Sequence, residues 1–235
     1  MLGLGTSIIS VNEGLERFLP TDVSNLSLWF KNNTGVAVGQ WDDSSGNNNH
    51  MVQATAGDQA AVTGGEGGLL FVGSEDDHYD LTSTVEIALE EGFTLFFVCK
   101  LTSHASNNTI LSGQATSPFV EFKNGGDLVR LNLGGGQFEV DPDGDSQFDS
   151  GTQFLFTLVR EAGATGNILL YKNGSLLTQS SQAASKLASD FTAVGWGRTA
   201  RTLNGIMHEL LFYEAALSGD DLTNVHNYLT GKFDL

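Results

Sequence analysis

This sequence predicts an all-β fold: a two-sheet antiparallel jelly-roll sandwich with an N-terminal arm and a short C-terminal helix. Three observations carry that expectation. Between Leu26 and Leu217, apolar runs recur about every 8 to 15 residues with no helical spacers between them. Asn-Gly pairs separate several of those runs, as short hairpin turns require. Glycine is abundant at 29, proline scarce at 3, and 15 phenylalanines dominate the aromatic residues, a mixture suited to tightly connected strands. With 235 residues and an apolar fraction of 40%, the chain can bury a sizeable core. One large domain over residues 25–235 is expected.

Residues 1–24 are expected to be an arm for docking and assembly. Leu2, Leu4, Ile8, Ile9, Val11, Leu15, Phe18 and Leu19 make it too apolar for a free tail, so its own domain or a neighbour should cover it. Leu19-Pro20-Thr21-Asp22 punctuates the entry to the domain. Further on, alternation in the run from Phe93 to Leu101 puts Phe93, Leu95, Phe97, Cys99 and Leu101 on one face, with Phe96 and Val98 on the other. Both faces then need cover, as in an inner layer. Gln153 to Arg160 repeats that two-sided character. Asn173-Gly174 and the stretch Lys123-Asn124-Gly125-Gly126 are read as hairpin turns. Ser218 is expected to cap a helix with Asp221 completing a capping box. Leu222, Val225 and Leu229 fall on one face of that helix, and Gly231 is expected to stop it.

The formal net charge is −17, from 28 acidic and 11 basic side chains. Such a field repels nucleic acid and anionic membrane, and no cluster of Lys and Arg offsets it. Cys99 is the single cysteine, so no intrachain disulfide can form, and within its apolar run it is read as a small buried hydrophobe. No stretch approaches the roughly 20 apolar residues of a membrane helix. The apolar start Met1-Leu2-Gly3-Leu4-Gly5 lacks the basic region and cleavage site of a signal peptide.

The candidate sites are few. Asp141, Asp143 and Asp145 alternate around Gly144 and could supply oxygen ligands to calcium, although no closing glutamate follows and an acidic loop is ordinarily just solvated. No other cofactor is expected. His50, His78, His104, His208 and His226 show neither metal-ligand spacing nor triad partners. His208 and Glu209 are strand neighbours expected to face opposite sides. Trp41, Trp196 and Tyr79 are candidate platforms for a sugar ring, with Arg198 beside Trp196 as a polar contact. A tryptophan in a sandwich is more often core, and Trp29 is assigned there.

Five segments in order carry a resemblance. They are Leu28-Trp29-Phe30; the run from Trp41 to His50; Leu170-Tyr171-Lys172-Asn173-Gly174; Gly205 to Tyr213 with Ala216-Leu217-Ser218; and Val225 to Phe233. Together they resemble the concanavalin A-like lectin/glucanase superfamily, in its laminin G-like branch, over residues 25–235. The resemblance implies a jelly roll with one concave sheet used for glycan or protein contact. It also implies that Asp42, Ser44, Gly46 and Asn47 form the turn between that family's first and second strands, which suits side chains that bond their own backbone. The Glu-x-Asp-x-x-Glu string of the glucanases is absent, so no enzymatic activity is expected.

The arm is similar to those of virion proteins of tailed cyanophages. That similarity implies a structural protein on a virion, as fibre, decoration or baseplate-associated component. It would meet other virion proteins through the arm, act as a homo-oligomer or multicopy assembly and contact host-surface glycans. A carbohydrate-binding module of a bacterial surface or secreted protein is the alternative, followed by a glycan hydrolase.

Overall fold

The computed structural model describes residues 18–113, 118–123, 125, 128–133, 137–141, 147–163, 166–181, 188–196 and 201–235. In chain order the strands are β1 (Leu26–Phe30), β2 (Val36–Ala37), β3 (Gln40–Trp41), β4 (Met51–Val52), β5 (Ala61–Val62), β6 (Leu69–Phe71) and β7 (Tyr79–Ile87). There follow β8 (Phe93–Leu101), β9 (Asn108–Ser112), β10 (Phe119–Phe122), β11 (Val129–Asn132), β12 (Gln137–Val140) and β13 (Gln153–Arg160). The series ends with β14 (Asn167–Lys172), β15 (Ser175–Ser181), β16 (Ser189–Val194), β17 (Gly205–Tyr213) and the helix α1 (Gly219–Phe233). One sheet has the order β15-β14-β13-β8-β17-β6-β5, with β1 added against β17; the other runs β12-β11-β10-β9-β16-β7-β4-β3-β2. Every described pairing is antiparallel. The chain crosses repeatedly between the layers, as the two-sheet sandwich expected from the sequence requires.

Strand β8 shows why the layers stack. Phe93, Leu95, Phe97, Cys99 and Leu101 enter the core between the sheets, while Phe96 and Val98 enter a second core beneath α1. Each such side chain contributes about 1.5–3 kcal/mol on burial. The inter-sheet core is densely aromatic: Phe122, Phe148, Phe154 and Phe156 lie with ring centroids 4.9 to 5.8 Å apart. Cys99 is fully buried there, and desolvation pushes its thiol well above the usual range, so it packs as a hydrophobe.

The turns follow their residues. Asn173 (φ 50°) and Gly174 (φ 80°) join β14 to β15 with both central residues in the left-handed region. In the run from Trp41 to His50, Asp43 is the organiser. Its Oδ1 accepts the amides of Trp29 and Ser45, and its Oδ2 accepts Ser45 Oγ and the Asn49 amide. Asn47 Nδ2 donates to the carbonyls of Leu26 and Ser27. This polar run is a scaffold turn that ties β1 to the β3–β4 loop.

Helix α1 buries Leu222, Val225 and Leu229 as expected, together with His226. Its ends differ from expectation. Ser218 is the N-cap residue but its side chain makes no capping hydrogen bond. The helix runs through Gly231 and stops at Asp234, which takes the left-handed conformation (φ 57°). Glycine inside a helix costs only about 1 kcal/mol. Lys232 pairing with Glu209 and Phe233 packing 6.1 Å from His208 hold the last turn in place.

The described end of the arm joins the same layer. Phe18 meets Tyr228 edge-on at 6.4 Å, Val23 is buried under the helix, and Tyr213 Oη donates to the Pro20 carbonyl at 2.9 Å. Residues 1–17, which carry most of the expected docking role, lie outside the described residues. A bulge between Met207 and Glu209 in β17 breaks the alternation expected of His208 and Glu209. Both therefore meet the C-terminal turn of α1.

Candidate functional site

The outer face of the nine-stranded sheet alternates out of phase with the core. On β10, Val120 and Phe122 point inward, so Glu121 points outward, opposite Arg130 on β11, which in turn faces Glu139 on β12. Arg130 Nη1 donates to Glu121 Oε1 at 3.1 Å, and Arg130 Nη2 lies 2.9 Å from Glu139 Oε1. Lys123 holds the other oxygen of Glu139 at 3.0 Å. Glu121 is 1% exposed and also accepts from Asn107 Nδ2 at 3.0 Å, Thr109 Oγ1 at 3.4 Å and Arg201 Nη1 at 3.3 Å. Three cations thus face two carboxylates in a chain whose overall charge is strongly negative.

Environment splits the two acids. Burial pushes the Glu121 carboxyl above the usual range despite its Arg201 and Arg130 neighbours. Slight burial also raises Glu139, but hydrogen bonds from Lys123 and Arg130 outweigh it and hold that carboxyl low. Arg130 thus bridges the two carboxyl groups. This cross-strand ladder was missed from sequence, because the registers of two successive hairpins bring its members together.

Arg201 belongs to the segment that also carries Trp196. Gly195 donates its amide to Ile110 O at 3.0 Å and its carbonyl accepts from Leu203 at 2.8 Å, which pins the segment's base against β9. Gly195 has φ +79°, and a Cβ there would stand 2.6 Å from the Phe71 ring, so only glycine fits. Trp196 is half-buried, with its ring centroid 5.8 Å from that of His78. His78 is held firmly: Nδ1–H donates to the Asp76 carbonyl at 2.7 Å, which leaves Nε2 to accept from Gln53 Nε2 at 3.1 Å. Asp77, beside it, is buried, and desolvation raises its carboxyl while the Val72 amide lowers it.

The other sequence candidates fall elsewhere. Trp41 is fully buried, its Nε1 donating to the Lys31 carbonyl at 3.2 Å and its ring 6.1 Å from Phe30. Tyr79 is equally buried, with Oη accepting the Gly39 amide at 3.3 Å and donating to the Ala60 carbonyl at 3.4 Å. Both are core residues, not platforms, because their strand positions face the opposite sheet. Arg198, Asp143 and Asp145 lie outside the described residues; Asp141 is exposed at the end of β12. Among the described residues no group of His, Cys, Asp and Glu is placed to hold a metal ion, and no helix is long and apolar enough to cross a membrane.

No family model matches the sequence, and no curated protein sequence matches it. The fold itself has solved counterparts. The binding domain of Paraclostridial Mosquitocidal Protein 1 superposes with a TM-score of 0.62 at 16% identity, over 90% of this chain and 53% of that one. The receptor binding domain of botulinum neurotoxin D gives 0.61 at 17%, over 90% and 54%. Domain 4 of AbnA, a GH43 extracellular arabinanase from Geobacillus stearothermophilus solved with arabinotriose, gives 0.60 at 14%, over 86% and 98%. This chain therefore spans about half the length of the toxin binding domains and nearly all of the arabinanase domain. At these identities the likeness shows the fold, a jelly-roll-like β-sandwich.

Proposed function

We propose that this chain is a non-enzymatic glycan-binding sandwich of the concanavalin A-like, laminin G-like type. In this reading it is a structural protein of a tailed phage, a fibre, decoration or baseplate-associated component carried in many copies. The arm of residues 1–24, whose described end packs on the domain, would dock it to other virion proteins, and the outer face would meet host-surface glycans. The observation that carries the glycan reading is the half-buried Trp196 ring beside the fixed His78, on a segment that continues to Arg201 and the Glu121 network. A sugar's apolar face stacks on such a ring while amide and charged groups fix its hydroxyls. Arg130, bonded to both acids, favours recognition over hydrolysis. Many copies turn weak single contacts into firm adhesion.

A glycan array read with the wild-type chain and Trp196→Ala tests the Trp196 surface: at least one retained glycan should be lost in the variant. If every retained glycan is held equally well by that variant, the Trp196 surface is not a binding site. Mass spectrometry of purified phage particles tests the virion role, which falls if the chain is absent from them. A carbohydrate-binding module of a bacterial surface or secreted protein is the second reading, favoured by the 98% coverage of the arabinanase domain solved with its trisaccharide.

A further inference from the structure

A cleft of about 460 Å³ lies away from the Trp196 segment, where β1, the Trp41–His50 turn, the middle of β7 and the end of β17 converge. Among the described residues its lining is almost wholly polar: Asn25, Ser27, Asn47, Asn49, Ser83, Thr84 and Glu214, with Leu26 as the one apolar contributor. We propose that this cleft is a binding site for an uncharged saccharide unit, independent of the Trp196 surface.

Both strands that wall the cleft are bulged at its lining. In β1 the register against β17 jumps from Leu26 to Leu28, which leaves Ser27 as the extra residue. In β7, Val85 pairs with Phe191 and Asp80 with Ala193, so the pairing with β16 is irregular over the stretch that contains Ser83 and Thr84, while Leu81 stays paired with Met51 on the other side. The burial pattern of β7 loses its alternation at the same place. Such bulges re-aim side chains and gather beside sites. Asn49 staples the turn to β7 by donating Nδ2 to the Ser83 carbonyl and accepting the Ser83 amide, both at 2.7 Å, so this part of the lining is rigid.

The chemistry of the lining selects the ligand. Among the described residues of the lining Glu214 is the one acidic side chain and none is basic, so phosphate, sulfate or carboxylate finds no cation there. Calcium wants six to eight oxygens with several charges close about it, whereas this space holds roughly 15 waters at ~30 Å³ each. An apolar ligand would strand the hydroxyls and amides without partners. Asn47 spends its Nδ2 on backbone carbonyls and Ser45 Oγ, which leaves its Oδ1 to accept. Glu214 can accept a pair of hydroxyls, and Ser27, Ser83 and Thr84 can donate or accept. A sugar ring offers those groups in that density without a charge.

The inference shares with the proposed function only the premise that the domain binds glycans, and the variants separate the two. A glycan array is read with the full chain, Thr84→Trp, which fills the cleft from an exposed strand position, Glu214→Gln and Trp196→Ala. The expected result is at least one uncharged glycan whose retention falls at least about tenfold in both cleft variants and is unchanged in Trp196→Ala. If every retained glycan is acidic, or if retention survives Thr84→Trp and Glu214→Gln, the cleft assignment is wrong. Loss confined to Trp196→Ala would overturn the cleft alone, and an array with no retained glycan would overturn both.

Discussion

The indole Nε1 of Trp29 donates to Oε1 of Glu209 at 2.8 Å, joining residues 180 positions apart in the sequence. Glu209 is fully buried under the end of α1, where the Asn32 amide at 3.2 Å and the Lys232 ammonium complete its partners. A buried carboxylate deprived of its cation is costly, about 3–5 kcal/mol when fully desolvated. Lys232 remains partly exposed, which trims that figure. Lys232→Met should therefore destabilise the chain by about 2–4 kcal/mol in urea unfolding. Adding Glu209→Gln to that variant should restore part of the loss. A single variant as stable as wild type would show the pair to be idle.

His226 should make stability fall in mild acid. Its ring is buried against Phe96 and Tyr171 with Nε2 3.1 Å from Thr157 Oγ1, and desolvation lowers its pKa to about 4. Above about pH 6.5 neither the folded nor the unfolded chain binds the proton. Between there and about pH 4 only the unfolded chain takes it up, so up to about 3 kcal/mol of stability is lost across that window. Glu121 and Asp77, raised by burial, act in the opposite direction. The gap between wild type and His226→Gln in urea isolates the histidine, and it should narrow as pH falls from 7 to 4.5. A constant gap would mean that His226 titrates normally.

Alternation made the sandwich legible. In β8, seven side chains were assigned to the correct faces because burial on both sides leaves the period of two unbroken. Asn173-Gly174 declared its turn through the φ values that only such residues accept readily. The helix face was equally readable, but its end was not, because Lys232 and Phe233 meet partners from distant strands and override Gly231. Trp41 and Tyr79 were misassigned for a related reason: aromatic identity says nothing about which sheet face a residue takes. The Glu121–Arg130–Glu139 ladder depends on strand register, and the bulge at His208 has no local signature.

Arg160 ends β13 fully buried, with Nη1 donating to the Glu91 carbonyl at 2.6 Å while Nε and Nη2 have no partner among the described residues. Desolvation alone lowers its pKa to about 10. A buried, poorly paired charge is often replaced by an apolar side chain without loss, or with a gain of about 1–4 kcal/mol. Arg160→Met should accordingly unfold at equal or higher urea concentration than wild type. A clear drop in the midpoint would show that the Glu91 contact outweighs the unpaired nitrogens.

The two tryptophans paired as sugar platforms by sequence should separate cleanly. Trp41 is fully buried with its indole nitrogen bonded to Lys31, and truncating such a ring leaves a cavity that costs about 3–5 kcal/mol. Trp196 is half-buried on a segment whose base is held by backbone bonds of Gly195, so Trp196→Ala should cost about 1 kcal/mol or less. Urea unfolding of both alanine variants tests the contrast directly. Because Trp196→Ala stays folded on this account, its loss of glycan retention reports on contact. Comparable destabilisation by the two substitutions would make Trp196 a packing residue and remove the main support for a recognition surface there.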